Sequence, residues 1–252
     1  VITALERSRG ILLSPTGSGK SFIIYIIAKY WLYHLSKGLS YPKGGRVLII
    51  VPTTSLVEQM HQDFVDYGMS EDGIHRIYSG KDKNTDKAII ISTWQSIYKY
   101  PKKWFEQFGM VIGDECHGFK SKSLSSIMNK ATEAKYRFGT TGTLDGTLTH
   151  KLVLEGLFGP VYKVTTTKAL QDDSTLADLT IKVLLLNYSK EVRKNFGKKT
   201  YQEEIDFIIG NPSRNKLITN LALSCEGNTL VLYNRVAEHG SPLFEMILDK
   251  SN

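Results

Sequence analysis

The stretch "GILLSPTGSGKSFII", Gly10 to Ile24, decides the fold. An apolar run enters a turn of small residues, the turn ends in Lys-Ser, and the chain then becomes apolar again. Such a turn between a strand and a helix leaves the backbone N–H groups of Thr16, Gly17, Ser18 and Gly19 free to converge on one point. Glycine permits the close approach that a bound oxyanion requires. The N-terminus of the following helix adds a positive end. Lys20 supplies a mobile charge for β- and γ-phosphates, and the Ser21 hydroxyl a ligand for Mg²⁺. The pattern is G-x-x-x-x-G-K-[ST] with Ser14 in the first place, and Gly19-Lys20-Ser21 carries the contacts. ATP and Mg²⁺ are therefore the expected cofactors.

Outward from this turn, β-branched runs alternate with helical patterns: "GILLS" then Ser21 to Leu35, "RVLIIV" then Ser55 to Tyr67, "KAIIIS" then Gln95 to Tyr98, "MVIGDE" then Ser123 to Lys130. The alternation predicts an α/β fold with a parallel sheet covered by helices on both faces. Ser55 and Glu58 form an S-x-x-E pattern that predicts a capping box at the second helix. The run Phe22 to Leu35 is too short and too interrupted, by Lys29 and His34, to span a membrane, and is expected to be a helix buried on most sides.

A site that hydrolyses a nucleotide needs carboxylates on a neighbouring strand. "MVIGDECH", Met110 to His117, ends an apolar strand in Asp114 and Glu115, where open α/β sheets present their ligands. Asp114 is the expected Mg²⁺ residue, working mostly through water, and Glu115 the acceptor of a proton from the attacking water. Gly113 stands where a larger apolar residue is expected.

The 252 residues suffice for one large domain or one and a fraction, and 41% hydrophobic with 23% charged residues excludes a disordered or collagen-like chain. A net charge of +7 is compatible with a polyanionic partner. Cys116 and Cys225 form no C-x-x-C pair, which fits a reducing compartment without structural metal, and no signal peptide is evident; the expected location is cytoplasmic. In "YKYPKKWFEQF", Tyr98 to Phe108, the reading preferred over a nucleic-acid surface is a turn whose aromatics pack inward while the lysines stay wet.

Taken together, the motifs resemble the superfamily 2 helicases of the DEAD/DEAH type. Ser14 to Ser21 is similar to their motif I, "VPTTSLVEQ" (Val51 to Gln59) to motif Ia, "DECH" (Asp114 to His117) to motif II and "TGT" (Thr141 to Thr143) to motif III, in the family's order. The resemblance implies a RecA-like P-loop NTPase domain that couples ATP hydrolysis to movement on nucleic acid, as a DNA helicase or branched-DNA remodelling motor. It implies sequence-independent backbone contacts to DNA, with RNA left open, through Thr53, Thr54 and Thr93. It also implies coupling through His117, Thr141, Gly142 and Thr143. "TLVLYNRV", Thr229 to Val236, resembles the first strand of a second RecA-like domain. The expected organisation is residues 1–163 as the ATP-binding domain, 164–212 as a connector with its own strand at Thr180 to Tyr188, and 213–252, opened by a helix at Arg214 to Leu223, as the start of a second lobe. Such a truncated core is expected to be weak or inactive in isolation. A restriction-type DNA translocase subunit and an ATP-gated clamp without turnover share these motifs and stay open.

Overall fold

The computed structural model describes residues 2–38, 44–78, 84–120, 122–144, 148–196 and 199–251. The chain divides into two compact units, Val1–Leu179 and Thr180–Asn252. In the first unit, helix α1 (Ile2–Arg7) precedes β1 (Arg9–Leu13), α2 (Lys20–Ser36), β2 (Arg46–Val51), α3 (Thr54–Asp66), β3 (Ile74–Ile77) and β4 (Ile89–Thr93). The short helices α4 (Trp94–Ile97) and α5 (Lys102–Phe105) lead to β5 (Phe108–Asp114), α6 (Lys122–Lys130), β6 (Tyr136–Thr141), α7 (Leu148–Phe158), β7 (Val161–Lys163) and α8 (Thr167–Asp172). Among the described residues the strands form one sheet in the order β3-β4-β2-β5-β6-β1-β7, and every pairing is parallel.

The strands read as continuous apolar runs because both faces of the sheet are covered. In β2, Val47, Ile49 and Val51 face one core, with Ile24, Ile27 and Trp31 of α2 and Val57 and Phe64 of α3. Leu48 and Ile50, half a period away, face the other core, with Leu124 and Ile127 of α6 and Leu154 and Phe158 of α7. The aromatic segment after β4 joins this second core: Phe105 is fully buried, Tyr100 and Trp104 pack edge to face at 4.8 Å, and Lys102 and Lys103 stay exposed.

Two local expectations are corrected. Helix α3 starts at Thr53, not Ser55: Thr53 is the N-cap and accepts from Leu56 N at 3.3 Å. Glu58 does not close a capping box, because its carboxylate is drawn to β3, where Arg76 Nη1 lies at 2.5 Å and the Tyr78 hydroxyl donates to it. A charge-assisted partner on a neighbouring element outcompetes the helix's own terminus. Helix α2 is buried on most sides, as expected: Ile24, Tyr25, Ile27, Ala28 and Trp31 are buried and Ile23, Ile26, Leu32 and Leu35 pack on the same core, which leaves one strip with Phe22, Lys29, Tyr30 and Tyr33 exposed.

The second unit carries α9 (Lys190–Phe196), α10 (Tyr201–Gly210), α11 (Pro212–Ser224) and α12 (Ser241–Ser251). Thr200 and Glu203 cap α10 reciprocally, and Asn211 with Pro212 opens α11. Residues 180–188 and 229–236, expected as strands, form no strand pairing among the described residues, and Ile181, Val183, Leu185, Leu230 and Leu232 are exposed. A β-prone run becomes a strand only when a neighbour completes its hydrogen bonds. The boundary at Leu179 falls within the stretch read as a connector. Among the described residues no helix is long and apolar enough to cross a membrane.

Gly113 has a packing reason: a Cβ there would lie 2.8 Å from Phe119 Cζ and 3.0 Å from Phe158 Cζ. Phe119 and Phe158, edge to face at 5.1 Å, rest on the bare backbone one residue before Asp114. Restoring the expected apolar side chain as Gly113→Val is predicted to lower stability by about 1–3 kcal/mol through overpacking. The check is a lower urea midpoint at unchanged slope.

Candidate nucleotide-binding site

Three adjoining strands deliver the expected ATP residues to one edge. β6 lies between β1 and β5, in a register that sets Leu13 beside Thr141 and Asp114 beside Thr140. The chain leaves β1 into the loop Ser14 to Gly19, which Ser14 N ties to Thr141 O at 2.9 Å. Ser14 is buried, and its hydroxyl meets Ser18 Oγ at 2.6 Å. Ser18 Oγ in turn donates to Pro15 O at 2.6 Å. This small internal network sets the curve of the loop. Gly19 is the N-cap of α2 with φ 78°, a left-handed conformation that glycine adopts without strain.

Thr16, Gly17 and Gly19 are exposed, and the space beside Gly19 Cα is open. Across the loop lies Gly142, whose missing Cβ would stand 3.5 Å from Lys20 Nζ and 3.7 Å from Thr16 N. A side chain there would fill the cradle, so the TGT turn is bare where a phosphate would need room. Lys20 Nζ lies 3.3 Å from Glu115 Oε1 and 3.5 Å from Ser14 O. The phosphate-loop lysine and the DECH carboxylate thus already share one site. The donor set fits a nucleotide triphosphate with its divalent ion: N–H groups and an ammonium for phosphate oxygens, the Ser21 hydroxyl and the Asp114 carboxylate for the metal. Among the described residues no cluster of three or more His, Cys, Asp or Glu could hold a metal.

Asp114 is nearly buried, and burial pushes its carboxyl above the usual range, while the hydrogen bond from Thr140 Oγ1, at 2.6 Å, pulls the other way. Glu115 adopts a left-handed backbone at φ 47°, uncommon for a residue with a side chain. The kink turns successive carboxylates in different directions. Cys116, next along, is buried under the sheet with its thiol pushed up by burial.

The expected coupling residues form a chain of contacts. Thr141 Oγ1 donates to Thr143 O at 2.8 Å, which leaves it to accept from His117 Nδ1 at 3.0 Å. The same nitrogen lies 3.4 Å from Glu115 Oε2. His150 Nε2 donates to His117 O at 3.0 Å. Thr140 and His150 escaped sequence reading: Thr140 becomes visible only through the β5–β6 register, and His150 only once α7 packs back.

The residues expected to meet nucleic acid lie elsewhere on the same edge, after β2 and β4. Thr53 and Thr54 are exposed. Thr93 is buried, and its hydroxyl is engaged with Ser96 Oγ at 2.9 Å, so its side chain is not open to a phosphate. Beside them, a cavity of about 210 Å³ is lined by Pro52, Trp94, Glu115 and Phe119 among others.

The chain is similar to known helicases and translocases. The chain is 38% identical to the ATP-dependent DNA helicase UvsW of Enterobacteria phage T4, over 98% of this chain and 49% of that protein. It is 28% identical to the DNA 3'-5' translocase XPB2 of Sulfurisphaera tokodaii, over 76% of this chain and 40% of that protein. The chain thus spans half the length of these relatives or less. The crystal structure of the bacteriophage T4 UvsW helicase matches with a TM-score of 0.55 at 38% identity, covering 64% of this chain and 57% of that one. The Pyrococcus furiosus Hef helicase domain shares the fold, with a TM-score of 0.54 at 17% identity over 100% of this chain and 54% of its own. A family match over residues 2–146 takes in more than half of the chain and places it in the family described as type III restriction enzyme, res subunit, among the superfamily 2 helicases.

Proposed function

We propose that the first unit is the ATP-binding lobe of an ATP-dependent DNA helicase or branched-DNA remodelling motor that acts in the cytoplasm. The observation that carries this reading is the 3.3 Å approach of Lys20 to Glu115, which joins the phosphate loop to the DECH strand end. In the proposed cycle the loop N–H groups of Thr16 to Gly19 and the Lys20 ammonium hold the phosphates. Lys20 then exchanges its carboxylate partner for phosphate, which frees Glu115 to accept a proton from water. Ser21 and Asp114 are the proposed Mg²⁺ residues; the ion would neutralise charge on the transferring phosphate. His117, pinned between Glu115 and Thr141, carries the state of the catalytic carboxylate to the TGT turn at Gly142 and Thr143.

Nucleic acid is proposed to run over the ends of β2 and β4, held by its backbone and not by its bases. Thr53 and Thr54 offer their hydroxyls, and Thr93 acts from beneath by fixing Ser96. The restriction-type translocase reading keeps the same motor and is favoured by the family description; the alignment with UvsW, over nearly the whole chain, favours the helicase.

Lys20→Ala is expected to abolish Mg-ATP binding while leaving the circular dichroism unchanged, because Lys20 is the first residue of α2, outside both hydrophobic cores, and alanine is a good helix former. Nucleotide titration of the folded variant decides; undiminished affinity sinks the phosphate-loop assignment. Glu115→Gln should keep ATP bound and slow single-turnover cleavage by about 10²-fold or more, whereas Asp114→Asn should also weaken the dependence on Mg²⁺. Equal effects of both changes on binding and cleavage would contradict the division of roles.

Thr53→Asp tests the nucleic-acid track. Aspartate caps a helix as well as threonine does, so the melting temperature should hold, while a negative charge facing phosphate should weaken DNA binding by about tenfold at low salt. Fluorescence anisotropy with DNA duplexes of unrelated sequence should show the same loss on each. Unaltered affinity would place the track elsewhere.

A further inference from the structure

We infer that Leu176 is a positioning residue for the phosphate loop and that the segment it belongs to is a strap reporting on the nucleotide; this rests on the nucleotide-site reading above. After β7 the chain leaves the sheet beside the end of β1, where Val164 N donates to Leu13 O at 2.9 Å. Thr166 caps α8 through Ala169 N, and the chain then doubles back. The Leu170 carbonyl accepts from both Thr175 N, at 2.9 Å, and Leu176 N, at 3.0 Å. Ser174 takes a left-handed conformation, φ 57°, to make that reversal. Two backbone hydrogen bonds to one carbonyl and a left-handed residue thus fix a reversal whose residues 172–175 are otherwise exposed.

The reversal sets Leu176 directly on the tip of the phosphate loop. A Cβ at Gly17 would lie 2.5 Å from Leu176 Cδ2, which means that the leucine methyl is packed on the bare Cα. Gly17 is itself left-handed, at φ 81°. Thr16, Gly17 and Gly19 are otherwise exposed, so Leu176 braces a loop whose conformation must be fixed before phosphate can bind. Ordering that loop in advance removes part of the cost of binding.

The position of the strap in the chain gives the contact its second meaning. Leu176 is three residues before Leu179, where the first unit ends. The covalent link to the second unit therefore leaves from a residue packed on the nucleotide loop. Tension or slack in that link acts on Gly17, and a filled loop holds Leu176 in return, so the coupling is reciprocal.

The test uses the whole 252-residue chain and N-methylanthraniloyl-ATP with Mg²⁺ as the probe. Leu176→Ala should weaken binding by about tenfold at an unchanged melting temperature, and Leu176→Met should restore it. Hydrogen exchange of residues 173–178 in the unaltered chain should slow when the probe binds. Equal affinity of the alanine variant and the unaltered chain overturns the inference, as does a fall in melting temperature with binding unchanged, which would assign Leu176 to packing. If the variant loses both affinity and stability, the exchange measurement decides: slowing by nucleotide supports the strap, and indifference to nucleotide overturns it. Lys20→Ala is the control for the underlying reading. Failure of the unaltered chain to bind the probe overturns the nucleotide site and the strap together, whereas binding that Lys20→Ala removes and Leu176→Ala leaves intact overturns the strap only.

Discussion

The parallel pairing of β6 between β1 and β5 is the constraint on which the site depends. Its register, Leu13 beside Thr141 and Asp114 beside Thr140, brings three loops to the same height at the carboxyl edge of the sheet. Shifted by one residue, β6 would turn Thr140 away from Asp114 and exchange its core-facing residues between the two faces. Phe138, buried in the core against α2, and Gly139, which leaves room for Cys116 Sγ, make that slip costly. The packing on either side of β6 is therefore what holds the three loops in alignment.

Much of this was legible in the sequence, for a definite physical reason. The loop pattern is local: a contiguous run holds the glycines, the lysine and the serine, so it can be read before any distant contact is known. The strand β2 was legible because a parallel sheet buried on both faces writes an unbroken apolar run. The DECH strand end was legible once the loop had shown which edge of a sheet it would have to share.

What escaped was decided between elements. Glu58 reads as a cap residue until Arg76 and Tyr78 arrive on β3. Thr93 reads as a hydroxyl free for phosphate until the turn after β4 brings Ser96 to it. The runs at 180–188 and 229–236 have strand composition, yet composition states only a preference for a pleated, half-buried surface, and the described residues offer them no such surface. For Glu58 the partners lie 18 and 20 residues away in sequence; for Thr93 the partner is three residues on, and only the turn brings it within reach.

The burial of Cys116 has a consequence for the chemistry of the two thiols. Cys116 is within the DECH segment, yet it lies under the sheet, where burial pushes its thiol up and disfavours the thiolate, and it is the thiolate that oxidants and alkylating reagents attack. The residue next to Glu115 is thereby shielded from sulfenic acid formation and from maleimides. Cys225, in the second unit, is exposed. A thiol-directed fluorophore would consequently mark the second unit selectively and leave the nucleotide site unmodified, giving the protein a built-in attachment point for following its two units separately.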